Sequence, residues 1–335
     1  MPVLVGLYIE AQEGVTWEVW RRAAAQAEAL GYDLLGCSVH LRSLEGAPGW
    51  RLDLWPVMTA IALWTQRIAF GPLVLPVGFY HPAHIARAAA ALDRLSGGRF
   101  QLGLGAGRDA AEYRAFGLPF PPHDERIAML AEGVEIIRRL WDGEPVTFRG
   151  RWYSLDGAQI EPVPLRRWLG IGGNSDATLR LAARCADEWS TTGRNVAELR
   201  ARNRQLDALA REAGRDPAAI ARTVMDGVLI GRDASDLERR ACHMADLVPS
   251  LRGQPVREII RRLADEWGWW VGTPDEVRAQ VAEAIGAGFG RVFLQVYDAA
   301  DVAAMQLLAE EVLPALRSSE PVTAAAGPRG GAARL

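Results

Sequence analysis

His40 is the histidine whose place in the sequence best suits proton transfer. It comes just after residues 33–38, whose apolar centre predicts a short buried strand. Histidine gains and loses a proton near neutral pH, and catalytic groups of parallel α/β barrels lie at the carboxyl ends of strands. A lone histidine is more often structural, so the residues alone leave both roles open. We take His40 as the candidate proton donor or acceptor.

Two glycine-rich segments also follow predicted strands. Residues 172–175, Gly-Gly-Asn-Ser, lead into a predicted helix, whose free N–H groups and positive dipole end suit a phosphate. The alternative is a tight turn in which Asn174 or Ser175 caps the helix. Residues 105–107, Gly-Ala-Gly, end another strand. They either leave room for a flat ring and its chain or form a tight turn.

Other residue types narrow the chemistry. His81 and His84 flank a predicted helix start, where a cap and a surface residue are favoured over a metal pair. No HxH motif lies on the first strand, which argues against a metal hydrolase, and we predict no metal. The chain contains no lysine, so all 38 basic residues are arginine. Schiff-base enzymes and P-loop proteins, which need a lysine, are therefore excluded.

The elements that must position these residues alternate between strand and helix eight times. The pattern is clearest in residues 66–107, where an apolar run, a helix with Pro82 in its first turn and a second apolar run follow one another. Units of this kind favour right-handed parallel connections, and eight of them fit a (β/α)8 TIM barrel. An open doubly wound sheet is the rival, but no GxGxxG motif follows the first strand.

Three segments depart from the simple alternation. Residues 145–155 alternate around a glycine and predict a β-hairpin. Residues 231–271 form an insertion between strand 7 and helix 7, and its tryptophans are either core residues or a hydrophobic lid over an apolar substrate. These are Trp267, Trp269 and Trp270. Residues 318–335 are rich in Ala, Gly, Pro and Ser, and we predict a disordered tail.

Composition and charge exclude several kinds of partner. The chain has 335 residues, of which 49% are apolar and 24% charged, as in ordinary soluble domains. The formal net charge is −3 without a basic block, so we predict no nucleic-acid binding. No apolar run reaches membrane-spanning length, and the N-terminus lacks a basic leader. Three scattered cysteines indicate reduced thiols in a cytoplasmic protein.

Five segments, taken in order, carry a family resemblance. They are HPA…LDRLSGGRFQLGLGAG, FGLPFPP, LWDGEPVTFRGRWY, LGIGGNSDATLRLAARCADEW and VGTPDEV. With them the chain resembles the bacterial luciferase-like monooxygenase superfamily over roughly residues 3–317, and most closely its branch that uses the deazaflavin coenzyme F420. The resemblance implies a single luciferase-like TIM-barrel domain over residues 1–317.

The resemblance also implies a function and a cofactor. We expect an oxidoreductase that transfers a hydride between F420 and a small organic substrate, and we expect a homodimer. An FMN-dependent monooxygenase and a non-catalytic flavin-binding protein are the alternatives. In the family, the loop at 172–175 holds the cofactor phosphate and residues 105–107 line the cofactor cleft. The implied cofactor-binding residues are Leu73, Val74, Gly105, Ala106, Gly107, Gly172, Gly173, Asn174 and Ser175.

Four further positions are interpreted through the resemblance. Glu112 matches a recurrent family acid and is our second catalytic candidate, although it could instead pair with an arginine. Where the F420 branch often has Ser-Asp-His, this chain has Val39 before His40, and Arg108 stands where the branch often has tryptophan. Relatives carry a bulge with a non-prolyl cis peptide after strand three. We expect it between Leu73 and Val74; the alternative is an ordinary trans strand end.

Overall fold

The protein is described by a computed structural model over residues 2–46, 48–193 and 195–318. The strands are β1 Leu4–Ile9, β2 Leu34–Cys37, β3 Ala69–Pro72, β4 Leu75–Pro76, β5 Leu102–Gly105, β6 Val146–Arg149, β7 Ser154–Ala158, β8 Leu169–Gly172, β9 Glu188–Thr191, β10 Ala221–Ile230, β11 Trp270–Gly272 and β12 Arg291–Gln295. The α-helices are α1 Trp17–Ala29, α2 Leu54–Trp64, α3 Pro82–Leu95, α4 Ala110–Ala115, α5 His123–Trp141, α6 Asp176–Cys185, α7 Val196–Glu212, α8 Ala234–Leu247, α9 Val256–Arg261, α10 Pro274–Gly286, α11 Val302–Leu307 and α12 Leu313–Ser318.

Parallel strands close into a barrel. Neighbouring strands follow the order β3, β2, β1, β12, β10, β9, β8, β5 and β4. A parallel bridge between Phe70 of β3 and Phe100, just before β5, brings β3 beside β5, which also pairs with β4. Because β3 and β4 are successive halves of one interrupted strand, the wall has eight strand positions. The predicted (β/α)8 barrel is confirmed, and the rival open sheet is wrong.

The barrel is stabilised by apolar side chains on both faces of its strands. Trp189 of β9 is fully buried, and its ring lies 5.9 Å from that of Phe289. Trp20 of α1 and Trp141 of α5 are fully buried between the helices and the strands. Burial of such side chains removes a large apolar area from water and supplies the main driving force for folding.

A buried ion pair lies at the amino ends of the strands, opposite the functional rim. Arg291, which begins β12, lies 3.5 Å from Glu188, which begins β9, and both side chains are under 8% exposed. Arg291 also donates to the amide oxygen of Gln101, and its guanidinium carbon lies 5.0 Å from the centre of the Trp168 ring. This group therefore connects distant strands across the floor of the barrel.

The predicted insertion is present and contains a strand as well as helices. After β10 come α8, α9, a π-helical turn at Arg262–Glu266 and the short strand β11, which pairs in parallel with the end of β10. Trp270 is 1% exposed, and Trp269 is 6% exposed and stacks near Tyr297. None of the three insertion tryptophans lines the cavity described below. The lid interpretation is therefore wrong, and core packing is the role of Trp269 and Trp270.

Several local features complete the comparison with the sequence. The predicted hairpin is confirmed as the antiparallel pair β6 and β7. The six-residue helix α4 was not predicted, because so short a segment carries no measurable periodicity. Ser318, predicted to begin the tail, ends α12 instead, and residues 319–335 lie outside the described residues. Within the described residues, no helix is long and apolar enough to cross a membrane.

Candidate active site

A cavity of about 450 Å³ opens at the carboxyl ends of the barrel strands. It brings together every residue that the sequence analysis named as a site candidate. These are His40, Leu73, Val74, Gly105, Ala106, Gly107, Glu112, Gly172, Gly173, Asn174 and Ser175. This is the position at which parallel α/β barrels bind ligands.

His40 and Glu112 form a pair in the wall of this cavity. Nδ1 of His40 lies 3.2 Å from one carboxylate oxygen of Glu112, and the backbone N–H of Leu41 donates to the other. Glu112 is 1% exposed, whereas the His40 side chain is 16% exposed and faces the cavity. A carboxylate beside Nδ1 favours the tautomer that carries its proton on Nδ1. Nε2 is then free of a proton and can accept one from a substrate. Among the described residues, no arginine forms an ion pair with Glu112, so the alternative that Glu112 pairs with an arginine is wrong.

The unpredicted helix α4 positions Glu112. Its N-cap is Asp109, whose carboxylate accepts a hydrogen bond from the backbone of Ala111 at 2.9 Å and is bound by Arg42 at 2.7 Å. Burial acts to raise the pKa of Asp109, but the hydrogen bonds from Arg42 and Ala111 outweigh it and lower the pKa. The ionised cap therefore joins α4 to the loop that carries His40.

The interruption between β3 and β4 lies beneath the cavity. The peptide bond between Leu73 and Val74 is cis, so the predicted cis peptide is confirmed. Tyr8 of β1 donates its hydroxyl hydrogen to the carbonyl of Leu73 at 3.1 Å, and the Leu73 N–H donates to Cys37 at 2.9 Å. These contacts hold the interrupted segment between β1 and β2.

Tyr8 is buried at the centre of the barrel. Burial raises the pKa of its phenol well above the ordinary value, and the nearby Glu10 and Cys37 add to the rise. The hydroxyl therefore stays protonated at neutral pH and remains a donor to the Leu73 carbonyl. The sequence analysis did not identify Tyr8, because one tyrosine in an apolar strand carries no site signal.

Val74 explains why two of the candidate positions are glycine. A Cβ atom on Gly105 would lie 2.5 Å from one methyl group of Val74, and one on Gly172 would lie 2.7 Å from the other. Neither distance is compatible with a side chain, so the absence of side chains lets Val74 sit between β5 and β8. Sequence reasoning assigned these glycines to the cofactor, whereas the structure also gives them a packing role.

Residues 172–175 form a turn into the N-terminus of α6. Gly173 has a φ of +144°, a conformation that side chains other than glycine rarely adopt. Ser175 is the N-cap, and its hydroxyl accepts from the N–H of Thr178 at 3.2 Å. The carboxylate of Asp176, in the first turn, would repel an anion. It pairs with Arg202, which offsets this negative charge. The first-turn N–H groups and the glycines, which leave the backbone uncovered by side chains of their own, fit a phosphate group.

Several residues of the cavity wall were not found from the sequence. Tyr8, Glu10, His123, Arg126, Ser190, Thr191, Thr192 and Met225 line it. Thr191 donates to the side-chain oxygen of Asn174 at 2.6 Å, so the end of β9 orders the loop after β8. The run of hydroxyl residues at 190–192, at the end of β9, was the one sequence signal for these residues.

His81 and His84 lie outside the cavity wall. His81 is the N-cap of α3, where its Nδ1 accepts from the N–H of Ala83 at 3.2 Å, so the predicted cap is confirmed. Burial lowers the pKa of His81, and the neighbouring His84 adds to the effect. The described part of the chain contains no group of three or more His, Cys, Asp or Glu that could hold a metal ion.

Comparisons with known proteins agree with this geometry. An F420-dependent glucose-6-phosphate dehydrogenase of Nakamurella multipartita is 32% identical in an alignment of 317 positions that covers 88% of this chain and 91% of that protein. An F420-dependent hydroxymycolic acid dehydrogenase of Mycobacterium tuberculosis is 30% identical in an alignment of 310 positions that covers 88% of this chain and 83% of that protein.

A solved structure supports the same fold. An F420-dependent secondary alcohol dehydrogenase, in complex with an F420–acetone adduct, superposes with a TM-score of 0.80 at 22% identity over 95% of this chain and 100% of that one. The model of the luciferase-like monooxygenase family matches residues 5–291. The chain therefore belongs to the luciferase-like monooxygenase family.

Proposed function

We propose that this protein is an F420-dependent oxidoreductase that transfers a hydride between the deazaflavin and a small organic substrate. The observation that carries the proposal is the pair of His40 and Glu112 in the same cavity as the glycine turn before α6. The pair can move a proton, and the turn can hold a phosphate. The F420-dependent dehydrogenases reported above, at 30–32% identity over 88% of this chain, support the choice of cofactor.

The residues of the cavity fit the cofactor at two places. The turn at 172–175 and the first N–H groups of α6 would hold its phosphate, and Gly173, which has no side chain, would let it approach the backbone. Leu73, Val74 and residues 105–107 would lie against its ring. F420 supplies the hydride chemistry when bound, and the protein supplies binding, orientation and proton transfer.

His40 is the proposed proton-transfer group. When an alcohol is oxidised, its hydroxyl proton must leave as the hydride departs, and Nε2 of His40 can accept that proton. Glu112 is a positioning residue in this scheme, because it holds Nδ1 and its negative charge stabilises the imidazolium. In the opposite direction the same imidazolium returns the proton to the substrate oxygen.

The test is F420-linked turnover without oxygen, followed by the loss of absorbance of oxidised F420. The substrates would be secondary alcohols, sugar phosphates and hydroxy acids. We expect His40→Ala to lower kcat by about 10²–10⁴-fold, the range for general acid–base groups, with unchanged F420 affinity. His81→Ala, outside the cavity, is the matched control and should keep wild-type turnover. A wild-type rate in His40→Ala would assign His40 a structural role.

We also propose that the protein is a cytoplasmic homodimer. Three free cysteines, Cys37, Cys185 and Cys242, are consistent with a reducing compartment. Leu63 at the end of α2 and Leu95 at the end of α3 are at least half exposed, and a partner subunit would cover such side chains. Light scattering of the purified protein measures the mass, and a monomer at micromolar concentration would contradict the dimer.

A further inference from the structure

Two arginines in the cavity wall are used neither by the proton-transfer pair nor by the phosphate turn. Arg108 directly follows Gly107 and is exposed, and Arg126 lies in the first turn of α5 and is half-buried. No Asp or Glu within the described ranges forms an ion pair with either guanidinium. Arg42 on the same rim is different, because it pairs with Asp109. The cavity thus contains two cationic groups without a carboxylate partner.

Arg126 is held in place by neutral groups. Its Nη1 donates to the carbonyl of Pro121 at 2.6 Å, and its guanidinium carbon lies 3.9 Å from the centre of the Phe120 ring. Its Nε is buried and has no hydrogen-bond partner in the described structure. The guanidinium is therefore ordered before any ligand arrives, and a donor remains unsatisfied. Preorganisation of this kind lowers the entropic cost of binding an acid.

The charge of Arg108 affects Tyr8, at the centre of the barrel. Burial is the main cause that raises the pKa of Tyr8, and the positive charge of Arg108 opposes the rise. The carboxylates that line the cavity are already engaged. Glu112 accepts from Leu41 and lies beside His40, and Glu10 accepts from the amides of Gln12 and Gln295. Neither is placed to neutralise the arginines.

We propose that Arg108 and Arg126 bind an acidic group of the substrate, a carboxylate or a phosphate ester, in the cavity that contains His40. Arginine suits such groups, because its planar fork can donate two parallel hydrogen bonds to one anion. The inference rests on the proposed function, since it takes the ligand of this cavity to be the oxidoreductase's substrate. It adds that neutral alcohols and ketones are poor substrates for this protein.

The experiment compares acids with matched neutral compounds by isothermal titration. The pairs are lactate with lactamide, 3-hydroxybutyrate with 3-hydroxybutyramide, and glucose 6-phosphate with glucose. Each is titrated into the purified protein with and without F420. We expect at least one acid to bind at least about tenfold more tightly than its neutral partner, because a charge-assisted hydrogen bond contributes this much or more. The proposal is wrong if no acid binds more tightly than its partner.

Variants of the two arginines test whether these residues bind the acid. Arg108→Gln and Arg126→Gln should each weaken acid binding by about tenfold or more and leave the neutral compounds unaffected. Arg21→Gln removes an exposed charge on α1, outside the cavity wall, and is the matched control. Arg108 is exposed, whereas Arg126 is half-buried and packs on Phe120, so the Arg108 variant keeps the test decisive if Arg126→Gln unfolds. Wild-type acid affinity in folded variants overturns the proposal.

F420 itself contains an acidic group, the phosphate. The titrations therefore distinguish arginines that bind the cofactor from arginines that bind the substrate. If the variants lose F420 affinity about tenfold but bind the dephosphorylated deazaflavin riboside like the wild type, the arginines serve the cofactor and the substrate assignment is wrong. If the wild type binds no F420, the proposed function is wrong. The titrations without cofactor then still decide whether the arginines bind an anion.

Discussion

Gly173 lies in the turn that we propose holds the cofactor phosphate, so a side chain there tests that proposal. A Cβ atom there would lie 3.0 Å from Thr178, and the φ of +144° disfavours any side chain. Gly173→Asp adds a negative charge beside the proposed phosphate, so we expect F420 affinity to fall by about tenfold or more. Gly173→Asn is the matched control, because it adds the same bulk without the charge.

The two variants separate charge from strain. Both should lose stability to a similar extent, because both force a side chain into the same backbone conformation. We expect Gly173→Asn to bind F420 more tightly than Gly173→Asp, measured by titration at low ionic strength, where charge effects are largest. Equal affinities in the two folded variants would mean that the phosphate lies elsewhere.

The candidate residues were accessible to sequence reasoning to different degrees. His40 and the two glycine segments follow apolar runs, and the carboxyl ends of parallel strands converge on one rim, so their grouping in one cavity was predictable. Their catalytic and binding roles remain predictions. Tyr8 and Arg126 were missed, since one points inward from an apolar strand and the other lies in the first turn of a long helix.

At the scale of elements, the insertion is anchored to the barrel through Gly227 of β10. A Cβ atom on Gly227 would lie 2.1 Å from the ring of Trp269 in the insertion. Gly227→Ala must therefore displace a buried tryptophan, and we expect a loss of about 1–3 kcal/mol in the free energy of unfolding, the range for overpacked cores. Urea unfolding followed by tryptophan fluorescence measures it.

Gly286→Ala is the matched control for this substitution. Gly286 ends α10, and a Cβ atom there would meet no atom within 4 Å. Alanine favours a helix more than glycine does, so we expect this variant to be as stable as the wild type or more stable by up to about 1 kcal/mol. A Gly227→Ala variant as stable as the Gly286→Ala variant would contradict the anchoring role of Trp269.

Long elements were more predictable than short ones. The main strands and helices were visible as apolar runs and helical spacing, and a capping box at Thr273 begins α10. The short elements α4 and β11 were not, because they have six and three residues. The parallel pairing of β11 with β10 depends on contacts distant in sequence, which local patterns do not contain.

For the whole molecule, Arg291 connects several strands across the floor of the barrel. Its removal in Arg291→Met would leave Glu188 buried without its cation, and we expect a loss of about 3–5 kcal/mol in the free energy of unfolding. The double variant with Glu188→Leu should recover most of that loss, because a buried ion pair can be replaced by apolar groups.

Thermal or urea unfolding measures both variants. A change below about 1 kcal/mol in Arg291→Met would mean that the floor of the barrel does not depend on this pair. F420 binding should change little in the double variant, since Arg291 and Glu188 lie at the opposite end of the strands from the cavity residues.

The barrel as a whole was predictable because strand and helix alternate along the chain and parallel strands close in few ways. The detail of closure was not visible in the sequence, because β3 and β4 are two parts of one interrupted strand that contacts β5 through the Phe70–Phe100 bridge and through β4. That residues 1–317 form a single domain stays a prediction. A core that includes residues from Val3 to Leu316 supports it.

The central claim is that the cavity binds F420 in preference to FMN. Isothermal titration of both cofactors against the same preparation of purified protein tests it most directly, with the Gly173→Asp variant to locate the site. We predict that F420 binds more tightly than FMN and that the variant weakens this binding. FMN binding as tight as that of F420, or tighter, would contradict the account and favour an FMN-dependent monooxygenase.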